Sequence, residues 1–395
     1  MTTRIDTAQR RARLVLRHHL AGGAASPEAV AESLVALHAT DPATVHLSVA
    51  ARSSLPVGEV ERAMYTDRTL LRMLGMRRTM FVVPTGLAGV VQAACADEIA
   101  KRQRKLLLQH LATADLETGL DAWLAEVEEG AYAALKARGE AYAEQIAEDE
   151  PRLRTRIVMA QGKPYEATVY ITNRVLFLLA AQGRIVRGRP TGSWLSTRYS
   201  WTTAESWLPG ATALSGSQDP AEARAELARR WLYAFGPAPV ADLKWWTGWT
   251  ATQVKAALTA IAPVEVDLDG KPGIALSGDL EPVAPPEPVA AFLPALDPTP
   301  MGWSERSWFL GGSEAPVPEL FDRSGNIGPT VWWEGRVVGA WAQRSTGEVA
   351  YRTFTDAGSD AKAAIEACAA RMEQWLSGVR VAPKFRTPAE KALAS

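Results

Sequence analysis

The chain has 395 residues, 47% hydrophobic and 22% charged, with a formal net charge of −1, so it can bury more than one core and divides into roughly two to four structural units. This balance excludes a globally basic surface, and no window reaches the ~18 apolar residues of a membrane span. The opening stretch MTTRIDTAQRRARLVLRHHL carries arginines at helical intervals instead of a signal peptide's apolar centre, so the cytoplasm is the expected location. Cys95 and Cys368 stand far apart in helical contexts, which excludes a CxxC metal site, argues against a disulfide and predicts two buried small apolar residues.

In chain order, a first set of elements runs from a helix over Thr7–Leu20 to a second over Pro27–His38. The second is capped by Ser26 and has apolar Val30, Leu34 and Leu37. A third helix spans about Pro42 to Ser53, and Met76-Arg77-Arg78-Thr79-Met80-Phe81-Val82-Val83-Pro84 reads as a hairpin. The order then repeats. A helix is expected from about Leu116 to Ala137, followed by a turn at Gly139, a short helix around Tyr142–Ala147 and a helix from Glu166 to Ala181. The Gly- and Arg-rich run from Gly183 to Gly192 leads into a β-type segment, Ser193–Trp201, that contains Arg198.

The third pass is the clearest. DPAEARAELARRWLYAF, from Asp219, has an acidic first turn and apolar Leu227, Trp231 and Phe235 at i, i+4, i+8. Gly236-Pro237-Ala238-Pro239 stops it, Val240–Trp246 makes a short helix, and Thr250-Ala251-Thr252-Gln253 caps a third through Ile261. Val264–Leu268 and Ile274–Leu276, around Asp269-Gly270-Lys271-Pro272-Gly273, form the hairpin. Helix-turn-helix plus hairpin is the winged-helix order.

After the Pro-rich linker 280–288, strands are expected at Ala290–Leu296, Thr330–Trp333, Arg336–Trp341 and Val349–Phe354, with Glu334-Gly335 as a two-residue turn. A helix from Asp360 to Leu376 and a flexible tail after Pro383 complete the chain. The expected fold class is therefore α+β: three tandem winged helix-turn-helix modules over 1–115, 116–215 and 216–280, and a C-terminal β-rich domain over 289–395.

Basic residues cluster at 101–105, at Arg152, Arg154 and Arg156, and at Arg184, Arg187 and Arg189, apart from the acidic stretch between Asp115 and Glu150. Any one cluster reads first as a solvated face. Placed on hairpins, Arg77, Arg78, Arg184, Arg187, Arg189 and Arg198 become candidates for DNA phosphates or a narrow minor groove, while the helix-turn-helix enters the major groove. Winged helices also serve as protein-protein modules, so an assembly scaffold is the competing reading. Trp231, Trp245, Trp246 and Trp341, among 14 tryptophans, fall in the most patterned segments and are expected to pack between elements, not to stack bases.

Several fragments in this order resemble the AlkZ/YcaQ family of winged-helix DNA glycosylases over nearly the whole chain: 37–42 (LHATDP), 76–79 (MRRT), 227–237, 242–248 (DLKWWTG), 293–298 (LPALDP) and 335–341 (GRVVGAW). The resemblance implies hydrolysis of the N-glycosidic bond of alkylated purines, bulky adducts and interstrand crosslinks included, by a protein associated with the nucleoid. It also aligns the family's Gln-x-Gln or Gln-x-Asp pattern with His38 and Thr40, so this chain carries His-Ala-Thr, a variant expected to alter adduct preference or to abolish activity.

N7-alkylguanine and N3-alkyladenine are cationic and already good leaving groups, so the site needs only to stabilise an oxocarbenium-like sugar and position a water. His38, read as the end of the second helix, and Thr40 just beyond it are the candidate water-binding pair. Asp41 is either the base or the N-cap of the next helix. A helix-end histidine stabilised by the macrodipole is the structural alternative for His38. His18, His19, His46 and His110 lack metal spacing, no phosphate loop or Rossmann fingerprint is present, and no lysine is singled out as a Schiff-base nucleophile. The expectation is a monofunctional N-glycosylase without cofactor or metal. It acts as a monomer on double-stranded DNA carrying alkylated purines, with no membrane and no obligate protein partner. The alternative is a non-catalytic winged-helix DNA-binding protein, a damage sensor or a regulator.

Overall fold

The computed structural model describes residues 2–112, 114, 119–208, 214, 216, 218–310 and 317–395. The expected start of a helix at Leu116 and the boundaries at 115–116 and 215 lie outside them. Helices and small antiparallel sheets alternate along the chain, an α+β arrangement, and the residues divide into two compact units. One unit comprises 1–70, 81–84 and 224–395; the other comprises 71–80 and 85–223. No helix among the described residues is long and apolar enough to cross a membrane.

In the first unit, Asp6 accepts from the Gln9 N–H (2.8 Å) to start the helix Thr7–Arg17, and Ser26 caps Pro27–Ser33. The second helix does not reach His38. Val35 adopts a left-handed φ of 63°, and Leu37–His38 is a short strand antiparallel to Val82 and Phe81. The i, i+4 apolar pattern does continue through Leu37, but Leu34, Val35, Ala36 and Leu37 are all buried. A segment with no solvent face cannot be an amphipathic surface helix, and strand pairing satisfies its backbone instead. The helices Pro42–Ala50 and Val57–Tyr65 follow; the latter was not expected.

The helix Pro220–Phe235, part of this unit from Arg224 onward, precedes Val240–Thr247 and Ala251–Ile261. Thr250 and Gln253 cap the last helix reciprocally. The hairpin Val264–Leu268/Lys271–Ala275 turns on two residues, Asp269 and Gly270, both at positive φ, so Lys271–Gly273 belong to its second strand. Thr3–Arg4 adds a parallel strand beside Val264–Leu268.

Four strands, Ala290–Leu293, Thr330–Trp333, Arg336–Gln343 and Val349–Thr353, form an antiparallel sheet in that order, with the helix Ser359–Leu376 packed on its outer strands. Glu334-Gly335 makes the tight turn (φ 48° and 74°), and a Cβ on Gly335 would lie 2.9 Å from the Arg11 carbonyl oxygen. The segment after Pro383 is not a flexible tail. Thr387 caps the helix Pro388–Ala394, which packs on the strand Arg336–Gln343 and buries Ala389 and Glu390. The Thr-Pro-Ala-Glu run is a helix-start signal of the kind used earlier in the chain.

In the second unit, Leu124, Val127, Ala131 and Leu135 of the helix Leu120–Arg138 are fully buried at helical spacing. Glu140–Ala141, Tyr199–Thr203 and Ile185–Pro190 form a three-stranded sheet, beside the helices Ala143–Asp149 and Thr172–Ala181. The helix expected from Glu166 starts instead at Thr172. Ala167–Tyr170 pairs with Arg156–Met159 as an extra hairpin, its β-branched and aromatic residues favouring extended backbone. Both cysteines are buried thiols. Trp231, Trp246 and Trp341 are buried in packing positions, whereas Trp245 is half-buried under Arg306.

Candidate active site

His38 is the last residue of its short strand. It is 6% exposed, and its ring lies edge-on to Phe81 at 5.5 Å. Ala39 is fully buried, Thr40 is half-buried, and Asp41 begins the next helix. Both oxygens of Asp41 are engaged by backbone donors. Oδ1 accepts from the Ala43 N–H (3.1 Å) and Oδ2 from the Lys384 N–H (2.8 Å). Asp41 is therefore the N-cap and at the same time ties down the segment leading to the C-terminal helix. Replacing it by Ala is expected to cost about 2–3 kcal/mol in denaturant unfolding, and by Asn about half that, because a cap and a charge-assisted hydrogen bond go together. Equal stability of both variants and wild type would show that these bonds carry no load.

The helix Pro42–Ala50 is a firm base for the motif, since Pro42 to Val49 are all buried. The Thr44 hydroxyl donates to the Ala295 carbonyl (2.9 Å), and the Ser48 hydroxyl to Asp297 Oδ2 (2.8 Å). Arg52, wholly buried, uses all five N–H groups: Nε donates to His18 O, Nη1 to Ser48 O and Asp297 Oδ2, and Nη2 to Asp297 Oδ1 and Thr299 Oγ1. The sequence carries no signal for Arg52, and Asp297 stood out only within the LPALDP fragment.

His18 completes this network. Nε2 faces the Ala234 carbonyl (3.0 Å), which can only accept, so the proton sits on Nε2 and Nδ1 accepts from the Thr299 hydroxyl (2.9 Å). Complete burial, aided by Arg52, pushes its pKa down to about 3. The unfolded chain binds this proton near pH ~6.5. The stability tied to neutral His18 is thus fully present above ~6.5 and is lost as pH falls toward 3, by about 1.4 kcal/mol per unit. Between pH ~6.5 and ~4.5, above most carboxylate titration, wild type should lose about 2–3 kcal/mol. The His18→Gln variant should lose only the smaller share belonging to His19, which burial shifts in the same direction. Parallel stability-pH curves for the two proteins would refute the assignment.

The six candidate DNA-contact arginines lie in the second unit and differ among themselves. Arg78, Arg189 and Arg198 are exposed, Arg198 over the Tyr142 ring at 4.9 Å. Arg77 is half-buried, and burial lowers its pKa; Arg77 and Arg78 both hold left-handed φ angles. Arg184 is engaged by Glu129 through two bonds of 2.7 and 2.8 Å and lies over Tyr132. Arg187 is partly buried over Tyr199. In the other clusters, Arg104 pairs with Asp121 and Glu128, and Arg152 with Glu150 and Glu126. Among the described residues no group of three or more His, Cys, Asp or Glu side chains is placed to hold a metal ion.

Helices alternating with small sheets make a protein of mixed α and β structure, in which a short strand ending at His38 leads through Ala39 and Thr40 into a helix capped by Asp41. The family model described as DNA glycosylase AlkZ-like matches residues 31–375. The chain belongs to the AlkZ-like DNA glycosylase family, and its substrate is DNA. The solved structure of the Streptomyces sahachiroi DNA glycosylase AlkZ is similar in fold, with a TM-score of 0.70 over 98% of this chain and 99% of that one, at 20% identity. No curated protein sequence matches the chain.

Proposed function

We propose that the chain is a monofunctional glycosylase that hydrolyses the N-glycosidic bond of N7-alkylguanine and N3-alkyladenine in duplex DNA. Bulky adducts or interstrand crosslinks are its preferred lesions, in repair or in self-resistance to a genotoxin. It works as a monomer without a cofactor. The helix-and-hairpin sets at 1–115, 116–215 and 216–280 act as three winged-helix modules, with 289–395 as a β-rich support.

The observation that carries this reading is the extended backbone at His38. His38 ends the strand and Thr40 follows at the bend just before the capped helix, so the pair stands close in the chain and acts on one water, with the imidazole accepting its proton and the hydroxyl orienting it. Asp41, both oxygens occupied, serves to position the pair. The base is a cationic leaving group and needs no general acid, so one base and one orienting hydroxyl suffice. Arg77, Arg78, Arg184, Arg187, Arg189 and Arg198 supply the phosphate contacts.

The test incubates the protein with duplexes bearing N7-methylguanine or a bulky N7-guanine adduct and quantifies released base beside His38→Ala. Release lost in the variant supports the proposal. Tight, salt-dependent binding with no release from either substrate leaves a DNA-binding protein and sinks the enzyme.

A further inference from the structure

The six arginines assigned to DNA phosphates belong to the second unit, whereas His38, Ala39 and Thr40 belong to the first. In that first unit, the segment between the helices Ser359–Leu376 and Pro388–Ala394 is strapped against the start of the motif helix. Gln343 holds its near end, donating from Nε2 to the Val379 carbonyl (3.1 Å) and accepting at Oε1 from the Val381 N–H (2.8 Å). Further on, the Lys384 N–H reaches Asp41 Oδ2 (2.8 Å), and Thr387, 1% exposed, caps the closing helix. Val381 and Pro383 face Asp41, Ala43 and Thr44 across a small cavity. The backbone of Lys384 is therefore fixed three residues of chain away from His38.

The strap carries three exposed cations, Arg380, Lys384 and Arg386, and their surroundings differ. Arg386 donates from Nε and Nη2 to the two oxygens of Glu390 (2.6 and 3.0 Å) and is neutralised. Lys384 has no carboxylate partner among the described residues, and its ammonium only approaches the Phe385 ring, at 6.0 Å. Asp41, the acid bonded to its backbone, is already occupied by two N–H groups. Phosphates recur every ~3.4 Å of helix axis along one DNA strand, so a nucleotide presented to His38 and Thr40 brings its flanking phosphates to the edge of the motif. A lysine there is a compact charge on a flexible stem, and it meets a phosphate without the fixed approach an arginine fork requires. Because the strap already holds its backbone, only the side chain has to be ordered on binding. We propose that the Lys384 ammonium binds a backbone phosphate beside the lesion nucleotide and thereby positions the glycosidic bond at His38 and Thr40. The inference rests on the glycosylase reading for the site it serves, and it gives the unit that carries the motif a DNA contact of its own.

Single-turnover base release and anisotropy titrations over a salt series test it, on duplexes bearing N7-methylguanine in which each phosphate flanking the lesion is replaced in turn by an uncharged methylphosphonate. Lys384→Met keeps the backbone N–H that Asp41 accepts, so its unfolding curve should match wild type; Lys384→Gln serves if the Met variant does not fold. The Met variant should bind several-fold more weakly, reduce the log–log salt slope by ~1 and need more protein for half-maximal rate, with base preference unchanged. Lys384→Arg should recover most of the affinity. At one flanking position the methylphosphonate should weaken wild type by the same factor and leave Lys384→Met unaffected. Arg380→Met removes an equal charge from the same strap and should lose less. Equal losses in Arg380→Met and Lys384→Met overturn the contact, as does a Lys384→Met protein that still senses every flanking phosphate as wild type does. Base release by Lys384→Met that equals wild type at every salt concentration overturns the contact and leaves the activity standing. If wild type binds the duplex but releases no base, the glycosylase reading fails on its own, and the methylphosphonate titrations still decide whether Lys384 holds a phosphate.

Discussion

Replacing His38 by Ala is expected to lower the single-turnover rate of base release by about 10²–10⁴-fold, the usual contribution of a positioned general base. Duplex affinity should change little, because phosphate contacts elsewhere supply it. In energy this is about 3–5 kcal/mol taken from the transition state alone. The more informative substitution is His38→Gln. An amide can orient a water but cannot take its proton at neutral pH, so the acid limb of the pH–rate profile should vanish in this variant while part of the rate survives. Thr40→Val removes one orienting hydrogen bond and should cost up to about tenfold. A His38→Gln enzyme with the wild-type pH profile would remove the imidazole from proton transfer. His38 is also buried against Phe81, so each variant needs its unfolding curve beside its rate.

The second large effect is structural. Asp297→Ala should destabilise the fold by about 3–5 kcal/mol in denaturant unfolding, because it strands the wholly buried Arg52 guanidinium without its countercharge. The Ser48 hydroxyl and the Thr299 N–H lose their acceptor at the same time. Arg52→Met/Asp297→Leu should cost far less than the two single changes added together, since removing both charges removes the desolvation penalty along with the attraction. Strict additivity in that cycle would show that the pair does not interact. The helix Pro42–Ala50 carries both Asp41 at its start and Ser48 near its end, so a loosened Asp297 should also slow base release where the protein remains folded.

Much of the architecture was legible because local rules and burial agree there. The segment from Pro220 to Ala275 has a capping box, an Asp-Gly turn and an apolar stripe, and the strands Thr330–Trp333 and Arg336–Gln343 flank a Glu-Gly turn. Reading failed where a periodic pattern met full burial. Leu34 to Leu37 satisfy helical spacing yet turn and pair as extended chain, and residues 167–170 resemble the start of a helix until Arg156–Met159 offers a partner strand. The closing helix after Thr387 was missed through a passed-over cap, not through lack of a signal.

The family resemblance pointed to the candidate triplet His38, Thr40 and Asp41, while the sequence by itself determined the alternation of helix and hairpin and most of the tryptophans as packing residues. The last two follow from residue type and spacing within a dozen positions. Only the tertiary structure decided that His38 sits on extended backbone, that Asp41 is held by a backbone donor 343 residues away, and that Arg52 and Asp297 fasten the motif helix. It alone showed that the Arg184 guanidinium is paired with Glu129. Countercharges and strand partners come from distant parts of the chain, and the free energy of a buried charge is set by those neighbours, not by the residues adjacent to it in sequence.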